Sequence, residues 1–410
     1  MPTNKKLDNT IYVALFCLAA FTFTSISLTA LFHILILIPG IYLAIKSYQN
    51  SKFEKLSKSS ILLLTVIIWS ALSVFANWEI IKNPMHNLKK LKYLIIGLIS
   101  VPTFRYFFSL ANEEVSQKRI KILLNTFIIA TTLASLSGLI ALMSGFNPLK
   151  FKTACHATRA CGMYGMYMTY GYGIALVLTI LSGFILKRQL IQKILSIKIL
   201  IPCFLINLIG FALSYARGAY IGYFCSIPFF FFKKNKKRFF TIVLSLTFIG
   251  GLSFAFIPQI KEMLTSRGRI ESIMIRVSQY QAAIHAAKES PIFGLGYKNF
   301  EINSRGLKEK YDLDFKHFQG HGHSNFFEHL ASTGFIGLIL LTLFHLAWLV
   351  ETYNRDDFIG FIGFPFVINF TLSGQFQYTF GDGENLFLIM AMYALTQINF
   401  DSEYSPKSAV

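Results

Sequence analysis

His-Gly-His-Ser-Asn-Phe-Phe-Glu-His-Leu-Ala-Ser-Thr-Gly-Phe-Ile-Gly, residues 321–337, is the stretch in which a long polar segment gives way to a long apolar run. Asn325 and Glu328 have the three-residue spacing of a capping box, so a helix is predicted to begin near Phe326. His323 then lies just ahead of that helix, where N–H groups without helical partners attract anions. The stretch therefore predicts that the chain enters an apolar environment here, with a polar side chain at the edge.

Two glycines, Gly334 and Gly337, fall inside the same predicted helix. Glycine is a poor helix former, and in apolar helices small residues allow a neighbouring helix to approach closely. We therefore expect another helix to pack against this pair.

The composition is that of a membrane protein. Of the 410 residues, 54% are hydrophobic and 14% are charged, and the mean hydropathy is +0.51, whereas a soluble domain has about 25% charged residues. A membrane-spanning helix needs about 20 apolar residues. The predicted fold is an all-α polytopic integral membrane protein with about 12 transmembrane helices and one large polar segment between helices 9 and 10. The predicted helices cover 10–29, 30–45, 61–76, 93–110, 122–143, 168–186, 199–216, 219–232, 239–257, 326–350, 358–373 and 385–398.

These helices divide the chain into four regions. They are helices 1–9 in residues 1–257, the polar segment 258–324, helices 10–12 in residues 325–400, and a solvated tail, 401–410. Within the polar segment, apolar residues at helical spacing predict an amphipathic helix over 271–289, which Pro291 ends.

Basic residues indicate which side of the membrane each loop faces. Clusters at 118–121, 187–198 and 233–238 fall on the same side as the N-terminus, which the positive-inside rule makes cytoplasmic. The tail is then cytoplasmic, and the polar segment faces the periplasm from the inner membrane of a Gram-negative cell. Four lysines, Lys82, Lys89, Lys90 and Lys92, fall on the outer side instead. Either a span is miscounted, or these lysines bind an anionic lipid headgroup.

The net charge of +19 fits two explanations, which are basic cytoplasmic loops and an anion-binding site. No nucleic-acid-binding motif accompanies it, so nucleic acid is not an expected partner.

Cys155 and Cys161 share a short polar loop and could form a disulfide if that loop lies outside the inner membrane, although a reduced pair would look the same in sequence.

Arg217 is an unusual charge, because it separates two apolar runs in Ser214-Tyr-Ala-Arg-Gly-Ala219. One explanation is an interfacial arginine that reaches lipid headgroups. The other, which we favour, is a phosphate-binding arginine, since guanidinium pairs with phosphate oxygens. Small residues at 218 and 219 would then leave room for a bulky anion.

Arg276 opens the predicted amphipathic helix, with Tyr280 one turn later and Arg267 and Arg269 upstream. The alternative for these arginines is a solvated charge.

His323 has the position of a general base, for which a histidine is suited; a plain helix-capping or interfacial histidine is the alternative. Zinc binding by the four histidines is less favoured, since no nearby carboxylate or cysteine completes a tight ligand set. They are His317, His321, His323 and His329.

Asp382 and Glu384, in the last predicted outer loop, could orient a histidine or a sugar. The alternative is a polar turn that Gly381 and Gly383 build. We rank both carboxylates below the arginines and His323.

Three pieces of the sequence resemble motifs of the O-antigen ligase and polymerase superfamily, in the same order. They are the Ser-x-x-Arg-Gly-Ala stretch at 214–219; Arg276-Val-Ser-Gln-Tyr-Gln-Ala with Pro291-Ile-Phe-Gly-Leu-Gly; and His323-Ser324, nine residues, Gly334, two residues, Gly337. Tyr280 stands where the superfamily commonly has a tryptophan. The resemblance covers about 210–340, whereas the first half of the chain matches only in having many spans.

The resemblance implies an inverting, metal-independent glycosyltransferase without a cofactor, whose donor is an undecaprenyl-diphosphate-linked glycan. In a ligase the acceptor is lipid A-core, and membrane lipids surround the site. By the same resemblance, Arg217 and Arg276 would hold the diphosphate and His323 would deprotonate the acceptor hydroxyl. The residues implied to contact substrate are Ser214, Tyr280, Arg267, Arg269 and Ser324.

Three activities within the superfamily share these residues, namely those of a ligase, a repeat-unit polymerase and a protein O-oligosaccharyltransferase. The chain resembles ligases most, and a polymerase is the next alternative. Outside enzymes, a lipid or polysaccharide transporter would also have many spans. A transporter is expected to carry charges along several central spans, whereas here the polar groups gather on one face.

Overall fold

The computed structural model describes residues 5–49, 55–109, 114–192, 196–256 and 266–398. The predicted tail, 401–410, and the start of the predicted polar segment, 258–265, lie outside these ranges. Within them the chain forms seventeen α-helices, one two-stranded antiparallel sheet and one short 3-10 helix at Thr379–Gly381. The helices are α1 Lys5–Phe21, α2 Ile26–Gln49, α3 Lys58–Ala76, α4 Pro84–Lys90, α5 Lys92–Ser109, α6 Glu114–Ser144, α7 Tyr167–Leu186, α8 Arg188–Ile191, α9 Ile197–Ala212, α10 Arg217–Ser226, α11 Phe229–Phe232, α12 Lys236–Phe256, α13 Arg267–Glu289, α14 Phe300–Lys310, α15 Asn325–Asn354, α16 Phe358–Ser373 and α17 Gly383–Thr396. The strands are β1 Phe146–Asn147 and β2 Lys152–Thr153.

Seven helical stretches within the described residues are long and apolar enough to cross a membrane. They are α2, α3, α4 with α5, most of α6, α7, α12 and α15, and α9 and α16 are apolar but shorter. The protein is therefore an all-α membrane protein, as its composition indicates. Each of the twelve predicted segments is helical over most of its length, but five of them are not among these seven stretches. They correspond to α1, α9, α10 with α11, α16 and α17. The count of twelve stays a prediction.

The first predicted span, 10–29, is interrupted in the structure. α1 ends at Phe21 and α2 begins at Ile26. Threonine hydroxyl groups compete here with backbone N–H groups for the backbone carbonyl oxygens. Thr22 Oγ1 donates to the Leu18 carbonyl at 2.6 Å, and Thr29 Oγ1 donates to the Phe21 carbonyl at 2.8 Å. Apolar content alone did not predict this break, because threonine is tolerated in apolar runs.

The centre of the molecule is α7, in which sixteen consecutive residues, 169–184, are buried. α9, α10, α16 and α17 surround it. A buried amide crosses this centre, since Asn369 Nδ2 of α16 donates to Ala175 O at 3.0 Å and to Thr179 Oγ1 at 2.8 Å. Such bonds satisfy polar groups that would otherwise be costly to bury.

α13 and α14 form a layer over one end of the helices. Their small apolar core lies against the start of α15, and it consists of Ala282, Ala283, Ala286, Phe300, Leu307 and Ala331. α13 is the predicted amphipathic helix, and it ends at Glu289, two residues before Pro291. The turn that follows places Gly294 and Gly296 at φ angles of 60° and 93°, where glycine is favoured.

The link between α3 and α4 lies at this same end. Asn77 Nδ2 donates to Gly294 O at 3.2 Å, and the Tyr297 N–H donates to Ser73 Oγ at 3.0 Å. The lysines at 82, 89, 90 and 92 therefore share a face with the polar segment. This contact argues against a span miscounted between these two regions, so an anionic lipid headgroup near the lysines remains the prediction.

Candidate active site

Ser324 is the N-cap of α15, and this corrects the predicted capping box. Its Oγ accepts hydrogen bonds from the N–H groups of Phe326 and Phe327 at 3.2 and 3.4 Å. Asn325 is already inside the helix, where its side-chain Nδ2 donates to Thr379 Oγ1 at 2.8 Å. Ser324 is fully buried. Its hydroxyl therefore shapes the helix start beside His323.

Glu328 does not reach back to the N-cap but holds the loop that carries the histidines. Its Oε2 accepts from the Gly322 N–H at 2.7 Å, and its Oε1 accepts from Ser332 Oγ at 3.3 Å. Glu328 is buried to 1% exposure. A buried carboxylate bonded to the preceding residue's N–H fixes the direction in which His323 leaves the backbone.

His323 has a backbone φ of 46°, in the left-handed region that few residues other than glycine adopt. The His323 N–H donates to His321 Nδ1 at 3.1 Å, and the two ring centroids lie 4.3 Å apart. Burial lowers the pKa of His323 to about 4, and the charge of Arg276 acts in the same direction. His323 is thus a neutral imidazole at neutral pH, in a strained conformation typical of functional sites.

Arg276 and His323 line the same pocket, which has a volume of about 280 Å³. The other residues around it are Met168, Gly268, Glu271, Ser272, Ile275 and Phe318. The pocket joins α13, the start of α7 and the loop before α15. Folding thus brings together an arginine and a histidine that are 47 residues apart in the sequence.

Arg217 is the first residue of α10, directly after the turn 213–216. Ser214 is fully buried, and its Oγ donates to Phe211 O at 2.6 Å and accepts from the Ala216 N–H at 3.3 Å. Ser214 therefore stabilises the turn that presents Arg217. Tyr215 in the same turn has a φ of 53°.

The expectation that Gly218 leaves room for a ligand is wrong. A Cβ atom at Gly218 would lie 2.1 Å from Tyr172 Oη and 2.5 Å from Phe376 Cβ. The space beside this glycine is therefore filled by the protein, and Ala219 is fully buried. Small residues here permit α10 to pack tightly against α7 and the loop after α16.

Three arginines lie near one another at this end of the molecule. Arg159 and Arg276 are close enough to act electrostatically on Arg217. All three side chains are half-buried. Among the described residues, none of the three guanidinium groups makes a hydrogen bond or ion pair. Unpaired positive charges that repel one another favour an anion between them.

Tyr280 packs α13 against the start of α15. Its ring stacks on that of Phe327 with a centroid distance of 4.2 Å, and its hydroxyl donates to Gln375 O at 3.3 Å. Arg267 and Arg269 lie in the first turn of α13, but their side chains lie outside the described part of the structure.

The other candidate histidines, and the candidate acids Asp382 and Glu384, do not line the pocket. His317 is exposed, while His329 is buried inside α15 with Nδ1 on Asn325 O at 3.0 Å. Asp382 Oδ1 accepts from Thr169 Oγ1 at 3.1 Å, and burial raises the pKa of Asp382 to about 6. Over the described ranges, no group of three or more His, Cys, Asp or Glu residues could hold a metal ion.

Arg159, Met168 and Gln377 are residues of this region that the sequence analysis did not select. Gln377 is close enough to His323 to affect its pKa, which it raises. Only Arg159 had a signal in the sequence, because it falls between the two cysteines of the short polar loop. Those cysteines, Cys155 and Cys161, are bonded to each other in the structure.

Comparison with known proteins supports the family resemblance over part of the chain. Residues 202–342 match the family model described as O-antigen ligase. Over these residues, the sequence is similar to the O-antigen ligase superfamily. Arg217, Arg276 and His323 all fall within the matched region, so the superfamily resemblance drawn from the three motifs is confirmed. Members of this superfamily are glycosyltransferase-like enzymes whose substrates are lipid-linked glycans in a membrane environment.

A curated relative is similar over a shorter stretch. The chain is 30% identical over 100 residues to the Exopolysaccharide production protein ExoQ of Rhizobium meliloti (strain 1021). The similarity covers 23% of this chain and 22% of the relative, so the chain matches about a fifth of the relative's length.

Proposed function

We propose that this protein is an O-antigen ligase. It transfers polysaccharide from undecaprenyl diphosphate to lipid A-core with inversion at the anomeric carbon, without a metal ion or cofactor. The reaction takes place at the periplasmic face of the bacterial inner membrane. The observation that carries the proposal is the pocket that Arg276 and His323 share, with Arg217 nearby.

The proposed reaction needs positive charge on one side of the anomeric carbon and a proton acceptor on the other. The acceptor hydroxyl oxygen forms the new bond to the anomeric carbon, and the bond from that carbon to the diphosphate oxygen breaks. The diphosphate leaves with the electron pair, and the hydroxyl proton passes to His323. Arg217 and Arg276 stabilise the charge that develops on the diphosphate, because guanidinium groups form paired hydrogen bonds with phosphate oxygens.

The protonation state of His323 suits this role. With a pKa lowered to about 4, its imidazole is neutral at neutral pH, so one ring nitrogen carries no proton and can accept one. Bonds from the Gly322 N–H to Glu328 and from residues 326 and 327 to Ser324 hold the adjacent backbone. A fixed base of this kind reduces the cost of orienting the acceptor.

Analysis of lipopolysaccharide from cells that lack the protein tests the proposal. The lipopolysaccharide is separated on a gel, and undecaprenyl-linked glycan from the same cells is measured beside it. A ligase predicts lipid A-core without polysaccharide, together with long glycan on the lipid carrier. An unchanged lipopolysaccharide profile would contradict it.

A repeat-unit polymerase is the second candidate, because the similar protein ExoQ is named for exopolysaccharide production and not for transfer to lipid A-core. In that case the acceptor is the glycan of a second lipid-linked chain. The same gel separates the two candidates, because loss of a polymerase leaves lipid A-core that carries a single repeat. If the polymer is an exopolysaccharide, the lipopolysaccharide is unchanged and the secreted polymer is lost.

A further inference from the structure

The loop between β2 and α7 is closed by a disulfide and tied to the candidate site. Cys155 and Cys161 are bonded, with their Cα atoms 6.4 Å apart. The buried end of the loop lies against the turn before α10, where the Ala160 N–H donates to Leu213 O at 2.8 Å. Ala160 is fully buried. The loop and the turn that presents Arg217 are therefore one packed unit.

Arg159 lies in this loop, next to Ala160, and contacts Tyr167 at the start of α7. Its guanidinium carbon lies 4.2 Å from the centroid of the Tyr167 ring, a cation–π contact. The His156 ring contacts the same tyrosine, at a centroid distance of 5.3 Å. Tyr167 directly precedes Met168, which lines the pocket with His323. The aromatic face thus holds the Arg159 guanidinium beside the start of α7, close enough to Arg217 to act on it electrostatically. Among the described residues, no hydrogen bond uses the guanidinium N–H groups of Arg159.

Two arginines that each bind two oxygens would contact every non-bridging oxygen of the donor diphosphate once. Each of these oxygens can accept a further hydrogen bond, and the diphosphate gains negative charge as it leaves, so a third arginine can also bind it. Among the described residues, no carboxylate pairs with Arg159, Arg217 or Arg276. We propose that Arg159 is a third cationic ligand of the donor diphosphate, and that the Cys155–Cys161 disulfide holds it in place. This inference rests on the proposed function and adds a residue outside the region 202–342 that matches the family.

Binding of undecaprenyl diphosphate to the purified protein tests the role of Arg159. The protein is placed in phosphatidylcholine nanodiscs, and undecaprenyl monophosphate and phosphatidylglycerol are titrated in parallel. Arg159→Ala should raise the Kd for the diphosphate roughly tenfold, since one charge-assisted contact is lost, and change the Kd for the monophosphate much less. Arg159→Lys should recover part of the affinity. An equal loss for phosphatidylglycerol would mean that Arg159 binds lipid headgroups, which overturns the inference.

Two further variants separate this inference from the proposed function. Arg217→Ala tests the diphosphate site itself, and Arg305→Ala is the matched control, because Arg305 is exposed and paired with Glu309 at 2.9 Å. Loss of binding in Arg217→Ala but not in Arg159→Ala would overturn the inference and leave the proposed function standing. If neither variant loses affinity, the proposed diphosphate site is wrong, and the inference falls with it.

The contribution of the disulfide is measured as a double-mutant cycle. The pair Cys155→Ser and Cys161→Ser should weaken diphosphate binding severalfold, and a reductant should do the same to the unchanged protein. In the Arg159→Ala background both treatments should have little further effect. Equal losses in both backgrounds would show that the disulfide does not act through Arg159. Thermal unfolding of each variant identifies any loss that comes from unfolding.

Discussion

His323 combines a position in the pocket, a neutral imidazole and a backbone held by its neighbours. We expect His323→Ala to fold and insert normally but to lose transfer by roughly 10²–10⁴-fold, the usual contribution of a general base. Transfer of glycan by purified protein measures this. His317→Ala is the control, because His317 is exposed and does not line the pocket. Normal transfer by His323→Ala would remove the general-base role.

The buried environment of His323 also predicts how the rate depends on pH. The reactive form is the neutral imidazole, and the fraction in this form falls as the pH drops through the pKa of the free enzyme. Since that pKa is lowered to about 4, kcat/KM should stay constant from pH 7 to about 5 and fall below that. This fall in rate at low pH, the acid limb of the profile, should be absent from the residual activity of His323→Ala. A limb near pH 6.5, the value of an exposed histidine, would contradict the burial of this residue.

Arg217 tests whether geometry or charge alone binds the donor. Lysine keeps the charge but cannot form the paired contact of a guanidinium. Arg217→Lys should therefore lower kcat/KM roughly tenfold or more, equivalent to one lost charge-assisted hydrogen bond. Arg305→Lys, on an exposed part of α14, should have no effect. A fully active Arg217→Lys variant would mean that only charge matters there.

At the scale of elements, apolar runs and helical spacing predicted more than local hydrogen bonding did. The segment 271–289 was predicted as a helix from its apolar residues, and α13 covers it. The break at 22–25 and the N-cap at Ser324 depend on which hydroxyl bonds which backbone group, and several neighbours could have done so. Gly218 shows the same limit, since its contacts with Tyr172 and Phe376 come from distant parts of the chain.

Gly334 is the position at which the packing of α15 can be tested most directly. Its φ of 72° interrupts α15, and a Cβ there would lie 2.4 Å from Ile292 O and 2.5 Å from Pro291 O. The predicted close neighbour is thus the turn after α13 rather than a helix, whereas Gly337 does face another helix, near Trp69 of α3. Gly334→Ala should lower the free energy of unfolding by about 1–3 kcal/mol from backbone strain alone.

Thermal unfolding in detergent measures that change. Gly306→Ala is the matched control, because Gly306 lies within the helix α14 and a Cβ atom there would meet nothing within 4 Å. The control should unfold at the same temperature as the unchanged protein or slightly above it. Equal stability of the Gly334 variant would show that the turn can move away from α15.

At the scale of the whole molecule, the sequence allowed individual residues to be selected but did not predict their surroundings. Arg217, Arg276 and His323 were selected through the three motifs, but only the fold shows that Arg276 and His323 share a pocket. Arg159 was not selected, because its proximity to Arg217 depends on a contact between Ala160 and Leu213. Contacts between residues this far apart in sequence carry no local pattern.

The orientation of the molecule is a prediction that single cysteines can test. Lys89 and Arg305 are exposed at the end of the helices that carries the site, whereas Lys237 is exposed at the start of α12 in a cluster predicted to be cytoplasmic. Each is replaced by cysteine in a chain whose free cysteines, Cys17, Cys203 and Cys225, are changed to serine. A thiol reagent that does not cross membranes should label Lys89→Cys and Arg305→Cys in intact spheroplasts, and Lys237→Cys only after permeabilisation.

The pattern of labelling shows which part of the predicted orientation, if any, is wrong. Labelling of all three positions from outside would place the cluster at 233–238 in the periplasm, which contradicts the positive-inside assignment and the count of spans between Lys89 and Lys237. Labelling of Lys237→Cys alone would invert the protein and place the site in the cytoplasm. Reducing conditions there do not favour a Cys155–Cys161 disulfide, so this result would also remove the proposed anchor of Arg159. The expected pattern supports a site that faces the periplasm, where the disulfide can persist.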